Sequence, residues 1–339
     1  MPVSLFATEP KQKARASVLA PVITMDGGRR LEFVGAFSSE KEVKGARSFW
    51  KRAVDVLAGP PSYGKLIRPY AVTLDSRGRI IVTDPGAMAV HVFDFANKQY
   101  RRLERGKGQD LLSPIDVAVD GQDNIYVTDS ISGRIFVFEP SGKFSRFVGS
   151  VTKQEGIFKR PTGIAIDKQK GELFITDTLR DKIFVMDLQG HVLREFGGHG
   201  NGPGQFNFPT ELVLHGEELY VVDAMNFRVQ ILSTQGKYLT QFGELGEEMG
   251  RIYRPKGLSV DSEGDVYLVE ALLDAVQVFN REGSLLYTFG KSGGGPGEME
   301  LPSGLWIDAN DRIYVADSYN QRVQVFQFTS AQHAKGGQH

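Results

Sequence analysis

The chain has 339 residues, 41% hydrophobic and 24% charged, a globular balance long enough for two ordinary domains or one large closed β architecture. Forty Lys and Arg face 41 Asp and Glu, so no overall field draws nucleic acid or an acidic membrane. With no cysteine, disulfides, thiolate zinc sites, cysteine nucleophiles and a CxxCH haem attachment are all excluded.

Residues 1–29 read as an N-terminal extension. Its first 20 residues carry basic side chains but no apolar h-region. An exported, periplasmic or outer-surface location follows if a signal or lipid anchor has been removed, and a cytoplasmic one otherwise. No apolar run reaches the roughly 18 residues of a transmembrane helix. Next comes a strand-like run, Arg30-Leu31-Glu32-Phe33-Val34-Gly35-Ala36-Phe37. Residues 46–57 then place Phe49, Trp50, Ala53, Val54 and Leu57 at helical spacing, and Gly59-Pro60-Pro61 stops them. This predicts a short amphipathic helix that packs on the body, serves as a partner site or lies over a channel mouth.

From Pro69 onward the chain repeats. Pro69, Pro114, Pro161, Pro209, Pro255 and Pro302 each precede an apolar run, at spacings of 45, 47, 48, 46 and 47 residues. Six residues on stands Asp75, Asp120, Asp167, His215, Asp261 or Asp308, and eight to ten later Asp84, Asp129, Asp177, Asp223, Glu270 or Asp317. Alternation is of period two, as in Ile125-Tyr126-Val127, and Gly-containing turns separate the runs. Four short strands per period, here a to d, make one propeller blade. The predicted fold is all-β: a six-bladed β-propeller of four-stranded antiparallel blades over residues 30–330. The last repeat supplies only strands a to c, so residues 31–37 are expected to close the ring as its fourth strand. Residues 331–339 read as a disordered tail.

Gly200-Asn201-Gly202-Pro203-Gly204-Gln205-Phe206 leads into Pro209, and Gly293-Gly294-Gly295-Pro296-Gly297-Glu298-Met299 into Pro302; the latter repeat runs on to Ile313-Tyr314-Val315-Ala316-Asp317-Ser318-Tyr319-Asn320-Gln321-Arg322. In wording and spacing this resembles the NHL repeat, over roughly residues 68–330. Blade 1 departs from the pattern: it lacks the Gly-rich approach and has Ala89 where a basic residue is usual. The order of elements is similar to that of bacterial NHL-repeat propellers. That resemblance implies an envelope role beside multihaem cytochromes.

The b–c and d–a connections open on one face of the disc. The b–c tips carry Met88, Ile131, Leu179, Met225, Phe227, Leu272, Leu273 and Tyr319, much apolar material for loops. With Phe49 and Trp50 they are the candidate partner-binding residues: exposed together they mark an interface, tucked in they are core. At the channel mouth Arg68, Arg160, Arg254 and Lys256 are candidates for an anion or acidic partner, or simply solvated cations in ion pairs. Asp116 and Glu211 stand where other blades have Gly163, Gly257 and Gly304, and could meet those cations or a ligand. The recurring Asp129/Arg134, Asp177/Lys182, Asp223/Arg228 and Asp317/Arg322 pairs read as structural, each carboxylate taking turn N–H groups and pairing with a cation across the b–c loop.

Related propellers include enzymes. Amidating lyases hold zinc on axial histidines, but here His91, His191, His199, His215, His333 and His339 share no ring position. A lactonase-like calcium site would find only Asp116 and Glu211 as a partial set. No Gly-x-Ser-x-Gly elbow occurs, and the Gly-rich pieces precede strands rather than helices. RNA binding ranks below protein binding, because the candidate face is apolar rather than basic. The expectation is therefore a non-catalytic protein-binding scaffold with no metal or cofactor and an unread oligomeric state. Its alternative is a metal-dependent hydrolase or lyase with its site in the channel.

Overall fold

The computed structural model describes residues 22–24, 29–44, 64–106, 108–149 and 156–329. Six antiparallel sheets stand round an axis. Blade 3 is representative, with strands Pro161–Asp167, Glu172–Asp177, Lys182–Asp187 and Val192–Gly197 paired in sequence order. The middle strands b and c are buried on both faces. That is why Ile125–Asp129 and Arg134–Phe138 read as nearly unbroken apolar runs. The apolar clusters lie between blades, as when Tyr126, Ile135 and Val137 of blade 2 pack on Ile164, Leu173 and Ile175 of blade 3. A blade cannot bury these faces alone.

The ring closes as the sequence predicts. Strand Arg30–Phe37 pairs antiparallel with Arg322–Thr329, from Arg30 opposite Thr329 to Phe37 opposite Val323. It is the fourth strand of blade 6, and Phe37 packs with Val72, Val82 and Phe93 of blade 1 across the join. Val22–Thr24, inside the span read as an extension, adds a fifth, outer strand. A five-residue helix, Glu40–Lys44, follows the closing strand. The helix predicted at 46–57, with Phe49 and Trp50, lies outside the described residues, as does the 331–339 tail.

Two regularities hold each incoming loop. The residue three before the repeat proline is a buried apolar anchor in every blade: Leu66, Leu111, Phe158, Phe206, Ile252 and Met299, none more than 5% exposed. The carboxylate ending strand b then accepts backbone N–H groups just beyond that anchor. Asp84 accepts from Ile67 (2.6 Å) and Arg68 (2.9 Å), and Asp177 from Lys159 and Arg160 (both 2.9 Å). Glu270 does the same for Tyr253 and Arg254. In blades 4 and 6 the second donor turns to the preceding blade, Phe208 to Asp181 and Leu301 to Asp274. The blades are also laced by strand-b threonines. Thr83, Thr128 and Thr176 donate to the carbonyls of Ile115, Thr162 and Thr210 in the next blade.

Of the four expected Asp/cation pairs, two form. Arg228 Nε lies 2.8 Å from Asp223, and Arg322 Nε 2.7 Å from Asp317. The other two are corrected: Arg134 donates to Gln109, and Lys182 pairs with Glu195. The reason lies in the loop. In blades 4 and 6 the Gly-rich approach offers carbonyls of Gly202 and Gln205, or Gly295 and Glu298, to the same guanidinium, which fixes it beside the carboxylate. Blades 2 and 3 lack that approach.

Replacing Asp129 by Ala removes the acceptor for the Leu112 (2.6 Å), Ser113 (3.0 Å) and Ser132 (2.9 Å) N–H groups. Urea unfolding of Asp129→Ala is expected to show a loss of about 2–4 kcal/mol. A loss within the ~0.5 kcal/mol typical of a plain surface change would contradict the clamp.

Candidate functional site

The b–c turns share one backbone form. Their last residue is left-handed in every blade: Met88, Gly133, Asp181, Phe227, Asp274 and Gln321 have φ between 50° and 66°. With both loop ends held by the strand-b carboxylate, the middle of the turn is pushed outward. Ile131 (67% exposed), Tyr319 (60%) and Met225 (54%) stand there, with Met88, Leu179 and Leu272 also exposed. Each blade therefore shows an apolar tip. Phe227 and Leu273, expected among these tips, are instead half-buried. Phe227 occupies the left-handed corner and stacks on Tyr253 at 6.4 Å.

The d–a loops extend the same surface with Ile67, Leu112, Leu245, Met249, Tyr253 and Leu301, all exposed. Twelve of the 20 exposed large apolar side chains among the described residues thus lie on b–c turns or d–a loops. On the opposite turns stands Phe95, and the rest are on outer strands. The sequence reading missed the d–a members. For Ile67, Leu112 and Tyr253 the signal is the position two before the proline, exposed because the buried anchor precedes it and the clamped amides fix its direction.

The axis near this face is polar. Asp116 Oδ2 accepts the Ile164 N–H of the next blade at 2.7 Å, and Oδ1 accepts Val117 N–H at 2.8 Å. Glu211 accepts Leu212 N–H and is hydrogen-bonded to Asp116. The two carboxyls therefore bridge blades 2 and 4 above Gly163. A Cβ at Gly163 would come within 2.9 Å of Leu212 N, so only glycine fits beneath them. Burial pushes Asp116 up to about 6, against the pull of its N–H donors. Burial and the neighbouring Asp116 charge push Glu211 well above the carboxylate range. Two carboxylates in contact and out of water resist double ionisation, so the pair favours keeping a proton between them.

Lys256 lies 5.9 Å from the Tyr70 ring, and Arg160 5.7 Å from that of Phe208. Burial, with Arg254 and Arg160 nearby, lowers the Lys256 ammonium below its usual range. Tyr70 lies within the field of Glu211, Asp116 and Arg160, and burial raises its phenol strongly. Arg160, Arg254 and Lys256 thus converge, while exposed Arg68 shows no ion pair among the described residues. Asp116 and Glu211 meet each other and backbone amides rather than these cations.

The histidines stay apart. His91 is buried on strand c, its Nδ1 2.8 Å from Tyr100 Oη, and burial pushes it down to about 4. His191 and His199 pair with Asp187 and Asp181. Exposed His215 ends an a strand, and His333 and His339 lie outside the described residues. Among the described residues no three His, Asp or Glu side chains are grouped to hold a metal ion.

Six four-stranded blades around an axis define the chain as a six-bladed β-propeller. Residues 107–197 and 152–229 match a family described as a 6-bladed beta-propeller, and residues 300–326 match the NHL repeat. The chain is thus a six-bladed β-propeller whose last repeat matches the NHL repeat. No curated protein matches its sequence. Among solved structures it is similar to virginiamycin B lyase from Staphylococcus aureus, at 13% identity and TM-score 0.57, covering 77% of this chain and 94% of that one. It is also similar to a gluconolactonase from Xanthomonas campestris, at 13% and 0.61, covering 93% and 100%. A third is an auxiliary nutrient binding protein from Bacteroides thetaiotaomicron, at 13% and 0.59, covering 78% and 69%. At this identity the likeness is one of fold.

The carboxyl pair sets a pH dependence. Both groups have folded pKa values above their unfolded ones, so the folded state binds more protons and stability falls as pH rises out of the unfolded carboxylate range, through about 6 for Asp116 and further up for Glu211. Urea unfolding should show wild-type stability falling between pH 5 and pH 8 by an amount on the order of 2 kcal/mol more than that of Glu211→Gln. Equal slopes for the two proteins would show that no proton is held there.

Proposed function

We propose that the protein is a non-catalytic binding scaffold that docks a protein partner on the face formed by the b–c turns and d–a loops. The observation that carries this reading is the exposed apolar tip in every blade: Met88, Ile131, Leu179, Met225, Leu272 and Tyr319. A monomer facing only water has no reason to place apolar side chains on rigid loop tips all round one face and almost none on the opposite turns. Spread over six blades, they suit a broad partner surface rather than a small molecule. The setting implied by the resemblance belongs to the same proposal: a bacterial cell-envelope assembly with a multihaem cytochrome among its members. The cations Arg160, Arg254 and Lys256 at the centre of the face would meet acidic groups of such a partner.

A second reading, a metal-dependent hydrolase or lyase, draws on the buried Asp116–Glu211 pair and on the lyase and lactonase among the structural neighbours. The pair gives it weak support. Its oxygens are engaged by Val117, Ile164 and Leu212 amides and by one another, and no third ligand stands with them among the described residues.

A photo-crosslinker at Leu179 or Tyr319 is expected to trap one discrete partner in the cells of origin, and one at Ser141 on the opposite turns is not. Met225→Asp combined with Leu272→Asp should reduce the trapped product at least tenfold, about 1.4 kcal/mol. The unfolding midpoint should barely move, since both side chains are on the surface. Crosslinking that is equal from the two faces, or unchanged in the double variant, would overturn the reading.

A further inference from the structure

On the side of the a–b turns, away from the apolar tips, the axis opens into a cavity of about 200 Å³. The fourth residue after the repeat proline lines it in every blade: Thr73, Ala118, Ala165, Val213, Ser259 and Trp306. Five are small and one is the largest side chain available. Trp306 is only half-buried. A plug would need bulk opposite it, but Ala118 and Ala165 stand there and leave the space open. Blades 5 and 1 flank the tryptophan with Ser259 and Thr73, 4% and 2% exposed. Neither hydroxyl has a hydrogen-bond partner among the described residues, and both line the cavity. Both oxygens are open to the cavity rather than sealed in, so a polar group that enters can meet them.

The rim adds charge. Lys168 is the one charged residue lining the cavity among the described residues; it is exposed and without an ion pair, and His215 is beside it in blade 4. No acid lines the space. The neighbouring Asp167 is turned into its own loop, accepting the Gln169 and Lys170 N–H groups at 2.9 Å. The site thus has a flat aromatic wall flanked by two hydroxyls, small apolar residues opposite, and a cation at the opening. An apolar cavity of roughly 150 Å³ holds a benzene ring, so this one has room for a single ring with a short side chain.

We propose that this cavity binds a single-ring hydroxyaromatic carboxylate. The ring lies along Trp306, its hydroxyl meets Thr73 and Ser259, and its carboxylate reaches Lys168. The proposal is independent of the docking face, which lies at the other end of the axis, and either can fail without the other.

The chain has two tryptophans, Trp50 and Trp306, so Trp50→Phe leaves Trp306 as the sole reporter. Titration of that variant with 4-hydroxyphenylacetate is expected to quench Trp306 emission saturably. The neutral 4-hydroxyphenylacetamide should bind about tenfold more weakly, as should the acid to a Lys168→Ala derivative, the size expected for one charge-assisted contact. Phenylacetate, lacking the ring hydroxyl, should also bind more weakly. Ala165→Leu fills the cavity and should abolish the response, with folding checked by circular dichroism; Ala118→Val replaces it should the larger side chain not be tolerated. No saturable response to the acid, equal affinity for acid and amide, or undiminished binding in a folded cavity-filling variant would each overturn the proposal.

Discussion

The carboxylate that ends each second strand is the interaction on which the rest of the molecule depends. Asp84, Asp129, Asp177, Asp223, Glu270 and Asp317 are all fully buried, and each accepts backbone N–H groups from the loop that brings the chain in from the previous blade. A buried charge is tolerable only when its lone pairs are filled. Here the loop amides fill them, so loop and carboxylate require each other. The consequence is geometric. Residues immediately before the repeat proline cannot collapse onto the core, because their amides are held, while the residue before them is driven in. The anchor turns inward in all six blades and an exposed neighbour follows it in five, blade 4 keeping Asn207 and Phe208 half-buried. A face of exposed apolar side chains can exist on such loops without unfolding them.

Blade differences follow from what the loops offer in return. Where the approach is Gly-rich, its carbonyls turn back toward strand c, and Arg228 and Arg322 bind both carbonyls and carboxylate. Gln230 and Gln324, on the same strands, donate to the same loops. Blade 5 keeps Gln277 for this purpose but has Ala275 in place of the arginine. Blade 1 has His91 in the glutamine position, buried with its Nε2 3.6 Å from Asp84 Oδ2, the carboxylate that ends its own strand b. One structural role is thus filled by different side chains according to the chemistry of the facing loop.

Much of this was legible in the sequence, because a repeat of 45 to 48 residues announces its own phase. Once Pro161 and Asp177 are placed, so are the strands between them, and the missing fourth strand of blade 6 points to residues 31–37. The Arg134 and Lys182 partners were not legible, since equal spacing conceals unequal loops. Nor were Phe227 and Leu273 separable from Met225 and Leu272: one residue's shift within a turn decides whether a side chain stands at the exposed tip or bends back. The axial residues were harder still. Asp116 and Glu211 could be noticed as departures from glycine. That they would bond to one another across blade 3 depends on Gly163 having no side chain, a relation among three repeats that no single repeat displays.

The axis has two ends of different chemistry. At the level of the repeat glycines neighbouring inner strands are in direct contact: Gly304 N–H bonds Tyr70 O at 2.6 Å, Gly257 N–H bonds Ser303 O at 2.9 Å, and the Asp116–Glu211 pair spans blade 3 on the other side. Two residues further along each strand the side chains are small in every blade but the sixth, which has Trp306, and the space opens toward the a–b turns. This bonded level lies between the proposed docking face and the cavity. The carboxyl pair holds the Ile164 and Leu212 amides at this level. The inner strand of blade 3 runs from Arg160 past Ile164 to Ala165 in the cavity wall, so the pair sits where the two ends meet.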